Sequence, residues 1–139
     1  MTRNLYIIIL LLTFPPWTAF AQTVNYEIYK VDSSSQRVFL VTDRMTCKDT
    51  SLMTKIIRNI ELQFNNFSDL NISFFDDKEN TGYQIETIEI TKDSLVDIKV
   101  NDVKNHWMAE YSRLEKKYII FKPDGSLTPL RIFLIEDNE

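Results

Sequence analysis

Residues 46–75 read TCKDTSLMTKIIRNIELQFNNFSDLNISFF. Leu52, Met53, Ile56, Ile57, Ile60 and Phe64 recur at helical spacing, with Lys55, Arg58, Asn59 and Gln63 on the other side. That pattern predicts one amphipathic helix of about four to five turns, its apolar stripe laid on a sheet. Thr46 and Asp49 match an acidic variant of the capping box at its start. Asn65, Asn66 and Ser68 end it, and Asn71 to Phe75 then reads as a short buried strand closing in Asp76-Asp77.

Working outward, the flanks are β-like. Tyr26 and Ile28 alternate with Glu27 and Tyr29, Asp32 to Gln36 is a polar turn, and Arg37 to Thr42 reads as the return strand of a hairpin. Downstream, His106 to Tyr111, Tyr118 to Phe121 and Leu130 to Ile135 read as strands, with a turn at Pro123-Asp124-Gly125. In the first of these, alternation places Trp107, Ala109 and Tyr111 inward and His106, Met108 and Glu110 outward. Between Tyr83 and Val103, Ile88 and Ile90 precede a polar break, and Val96, Ile98 and Val100 follow it. An extended hairpin is expected there, and its edge is a candidate site for a protein partner. The expected fold is α+β, in β-β-α-β-β-β order. One long helix packs on one face of a mostly antiparallel sheet, in two layers.

The N-terminus carries an export signal. Arg3 supplies a positive start, Leu5 to Phe14 an apolar run, and Ala19-Phe20-Ala21 a small-residue cleavage site. The run is about half the length of a membrane span. Residues 1–21 are therefore expected to be a signal peptide and 22–139 a single domain, secreted or periplasmic after cleavage. Removing 21 of the 139 residues leaves 118, and loss of Arg3 takes the net charge from −4 to −5. A mildly acidic domain without a basic cluster is a poor partner for nucleic acid.

The capped helix, the strand Asn71–Phe75 and the later Trp107–Tyr111 and Tyr118–Pro123 segments resemble small exported bacterial α+β proteins of unknown function. The resemblance spans about residues 24–123, rests on packing motifs, and implies a fold without an established active site.

Chemistry-bearing residues are few. Gly82 and Gly125 are the only glycines, which removes phosphate-loop and dinucleotide readings, and no cofactor is implied. Asp76 and Asp77 are adjacent carboxylates, read first as a solvated strand end. His106 is the only histidine, too few for a zinc site of ordinary composition. Cys47, the only cysteine, sits near the expected helix start, where a thiol's pKa is lowered. Asn66 and Asn71 begin glycosylation sequons, read as chance. No catalytic, cofactor or metal residue is assigned. The leading expectation is a non-catalytic binding or structural domain. The alternative is a small hydrolase using Asp76 or Asp77 with His106.

Overall fold

A computed structural model describes residues 25–81 and 102–136. The expected signal peptide, the bulk of the 83–103 segment including Tyr83, and the last three residues of the acidic tail lie outside the described residues.

Six strands form one sheet: β1 (Tyr26–Asp32), β2 (Arg37–Thr42), β3 (Asn71–Phe75), β4 (Trp107–Ser112), β5 (Lys117–Phe121) and β6 (Pro129–Leu134). Their order in space is their order in sequence. Every neighbouring pair is antiparallel except β2–β3, which is parallel. Two strands running the same way need a crossover between them. Here α1 (Arg44–Lys48) and α2 (Thr50–Gln63) supply it. The fold is α+β: a mostly antiparallel six-stranded sheet with a few helices.

The helical region is divided where the sequence suggested continuity. Asp43, not Thr46, caps α1, its carboxylate accepting from the Met45 and Thr46 amides. Asp49 is extended, and its side chain accepts from the Leu52 amide to start α2. Each aspartate satisfies an amide that the helix itself leaves unpaired.

Local chemistry also sets the β1–β2 turn. The Asp32 carboxylate accepts from the Ser34 amide at 2.9 Å and the Ser35 hydroxyl at 2.6 Å. These bonds lower its pKa to about 2. Gln36 takes a positive φ of 50° to close the turn.

The sheet packs on both faces. On one, Met53, Ile56, Ile57 and Ile60 of α2 meet Val38, Leu40, Ile72, Phe74 and Tyr111 in a single buried cluster. On the other, Phe39, Phe75 and Trp107 cluster with Val103. Ring contacts run across the strands from Phe39 to Phe75 (6.3 Å), Phe75 to Trp107 (5.7 Å) and Trp107 to Phe121 (5.8 Å). Residues 102–106 are helical, so the extended reading does not reach 102 and 103.

The expected alternation along β4 fails at one point. Trp107 belongs to the second cluster, while Met108 and Ala109 both lie in the main core. A register shift between Phe74 and Phe75 pairs Phe75 with Trp107 and leaves Met108 as the extra residue. An inserted residue flips the side chains on one side of it.

Candidate functional site

The carboxyl ends of the parallel pair β2–β3 open on one end of the sheet. In open sheets with parallel strands such ends collect ligands, because the following loops diverge there. Arg44 follows β2, Asp76 follows β3, and His106 immediately precedes β4. These three side chains meet. The Asp76 Oδ1 atom lies 2.7 Å from His106 Nδ1, and Arg44 Nε donates to Asp76 Oδ2. Arg44 Nη2 also donates to the Asn105 carbonyl at 2.8 Å, and the Asp76 amide donates to the His106 carbonyl at 3.2 Å. The Asp76 side chain is only 18% exposed.

Asp76 is therefore not the solvated strand end that the sequence suggested. It bridges three chain segments. Asp77 behaves differently. Its carboxylate accepts from the Glu79 amide and the Asn80 side chain, which lowers its pKa and holds the following turn. Of the two adjacent carboxylates, Asp76 is the one brought into hydrogen-bonding contact with His106. Glu110 is not; it faces Arg37 at 3.6 Å, and burial raises its pKa.

A carboxylate on Nδ1 fixes the ring's orientation and leaves Nε2 for proton transfer. One component of a hydrolytic site, a nucleophile on His106, is missing among the described residues. No hydroxyl or thiol hydrogen-bonds to His106. The one thiol is also unsuited. Cys47 is the fourth residue of the five-residue α1, not at its start, and its side chain lies in the main core. Burial pushes the thiol up to about 12, the reverse of an activated nucleophile.

Beside the cluster lies a cleft of about 120 Å³. Trp107, Phe121, Pro123 and Leu130 wall it, and Arg44, Lys48 and Lys122 also line it. Its floor is apolar, formed with Met108 and Ile120 of the core. The Asp124-Gly125 turn lies against Asn105. Gly125 has a φ of 71°, and a Cβ there would collide with the Asn105 side chain. Asp76 and His106 do not line the cleft.

A third feature is the edge strand β6. No described strand pairs with its outer side. Leu130, Ile132 and Leu134 alternate along it and are 49%, 53% and 72% exposed. Phe133, between them, turns to the core and stacks on Tyr118 at 6.4 Å.

The sequence singled out Asp76, Asp77, His106 and Cys47. It did not single out Arg44, Lys48 and Lys122, because none belongs to a motif. The stripe at 130, 132 and 134 was visible as alternation, but only its edge position makes it exposed. The sequon at Asn71 is excluded as an acceptor site: Asn71 is in β3 and Ser73 is fully buried. No group of three or more metal-ligating side chains occurs among the described residues, and no helix there is long and apolar enough to cross a membrane.

No protein-family model, curated protein or solved structure matches this chain.

Proposed function

We propose that the chain is an exported, non-catalytic binding domain that takes an extended apolar segment of a partner protein on strand β6. The single observation that carries this reading is the exposed stripe Leu130, Ile132 and Leu134 on a sheet edge. An unpaired edge presents a row of amides and carbonyls, and natural edges are ordinarily protected by charge. Here Arg131 is the only charged residue within β6. A partner strand gains backbone hydrogen bonds from the edge and apolar contact from alternate side chains. Export rests on the N-terminal leader, and mass spectrometry of the exported protein is expected to find Gln22 at its N-terminus.

The test of the edge is capture from the exported fraction by the wild-type chain and by Ile132→Lys. The lysine restores the usual edge protection and points to solvent, so far-UV circular dichroism is expected to be unchanged. Loss of capture with an intact fold supports the reading, and equal capture overturns it.

A second reading is a small hydrolase, favoured by the 2.7 Å approach of Asp76 to His106. General acid–base assistance of this kind is worth about 10²–10⁴-fold in rate. On that reading Asp76→Asn and His106→Gln each lower ester hydrolysis by such a factor. On the binding reading neither changes it.

A further inference from the structure

We propose that the cleft beside α1 binds a small carboxylate bearing one apolar, ring-sized group. The inference does not rest on the β6 reading: it starts from charge and volume, and the cleft shares only Leu130 with the β6 stripe.

The chain is acidic overall, at −4. Yet Arg44, Lys48 and Lys122 all line the cleft, and none of its described lining residues is acidic. Arg44 is already committed to Asp76 and to the Asn105 carbonyl. Neither Lys48 nor Lys122 forms an ion pair with a described carboxylate. Lys122 acts on Asp124 only as the weakest of the influences on that group. Two lysines with no ion-pair partner among the described residues line one apolar opening, and together they complement a single carboxylate held as a point charge.

The walls define the rest of the ligand. Trp107 Nε1 already donates to the Ala109 carbonyl at 3.1 Å, so its indole offers contact area, not a donor. Cys47 also lines the cleft, and burial keeps its thiol protonated, so that group adds no anion there. A volume of about 120 Å³ is well under the ~300–1,000 Å³ of cofactor and drug sites. Engineered cavities of about 150 Å³ hold benzene. The cleft therefore suits one ring or one short branched chain, and excludes a nucleotide.

The probe is 3-phenylpropionate, titrated into the protein carrying Trp17→Phe. With or without residues 1–21, that leaves Trp107 as its one tryptophan, so the emission reports on the cleft directly. Saturable quenching or shift is expected, weakened by added salt because the lysines face solvent. Both 3-phenylpropanamide and acetate are expected to bind at least about tenfold more weakly, one lacking the charge and the other the ring. The double variant Lys48→Ala, Lys122→Ala is expected to lose at least about tenfold in affinity for the acid, with unchanged far-UV circular dichroism. A free acid and the carboxyl terminus of a peptide present the same chemistry. Acetyl-Gly-Phe, compared with its amide, tells the two sources apart. The proposal is overturned if neither acid saturates the signal, if the amide binds as well as the acid, or if the double variant binds unchanged. Ile132→Lys is expected to leave this binding intact, so failure at the edge and failure at the cleft are separate results.

Discussion

Cys47 shows how one residue's surroundings reverse a reading made from its neighbours in sequence. Near a helix start a thiol is acidified; inside a core it is not. Its folded pKa of about 12 stands above the ordinary 9.0, and burial is the main cause. At a given pH that rise leaves about a thousandfold less thiolate. Iodoacetamide at pH 8 is therefore expected to modify the native protein about a thousandfold more slowly than the urea-unfolded chain. The same shift links stability to pH. The native state keeps its proton where the unfolded chain has lost it, so this contribution is complete below pH 9.0 and declines toward pH 12. At pH 10 the loss is about 1 kcal/mol. Urea denaturation of the wild type and Cys47→Ala across pH 8 to 11 checks this, with the variant expected to show the shallower decline. Tyr118, whose hydroxyl donates to the Cys47 carbonyl at 3.0 Å, is raised by burial too and adds a decline that remains in the variant. At the candidate site, by contrast, the residue types were legible and their meeting was not. Asp76 and His106 stand thirty positions apart. Strand alternation carries no information about a helical turn at 102–106 that delivers His106 to the end of β3.

At the scale of elements, the apolar stripe of α2 was legible, because Met53, Ile56, Ile57 and Ile60 recur at helical spacing and are buried, but a single long helix was not what carried it. Ile60 is fully buried. Ile60→Ala is expected to cost about 2–5 kcal/mol in chemical denaturation. Its ends were less legible. Asp43, Thr46 and Asp49 all have capping chemistry, and only the extended backbone at Asp49 decides that one helix stops there and another begins. The carboxyl end has no glycine. Arg113, from the β4–β5 turn, takes that role. It donates to the Glu61 carbonyl at 2.8 Å, the Phe64 carbonyl at 3.1 Å and the Phe67 carbonyl, and pairs with the Glu61 carboxylate at 3.3 Å. One guanidinium thus satisfies the terminal carbonyls of α2 and the loop after it, from about fifty residues away. A lysine lacks the planar fork that reaches several acceptors at once. Arg113→Ala is expected to lower stability by about 1–3 kcal/mol, and Arg113→Lys to recover little of it. A full recovery by lysine, measured by urea titration, would show that charge alone matters there.

Over the whole molecule, periodicity located the described strands to within a residue or two but said little of how they join. The β1–β2 and β4–β5 hairpins follow from short polar turns. The parallel β2–β3 pair does not, because direction across a crossover is set by the packing of α2 and not by any local signal. The second aromatic cluster was hidden for a related reason: Phe39, Phe75 and Trp107 meet only once three strands are aligned. This order makes a gradient of protection across the sheet. Strand β3 sits between β2 and β4, and four of its five residues are buried. Strand β6 has one neighbour, and five of its six residues are exposed. Local opening costs least where few apolar contacts are lost. In native-state hydrogen exchange, the amides of Ile72, Phe74 and Tyr111 are expected to exchange only through global unfolding, with a steep dependence on denaturant. Those of β6 are expected to exchange through local opening, with almost none. The contrast also bears on the β6 reading, since an edge that accepts a partner strand must be accessible in its absence. If the β6 amides of the isolated chain carry the full global protection, something already covers that edge, and the partner segment proposed for it has no place to dock.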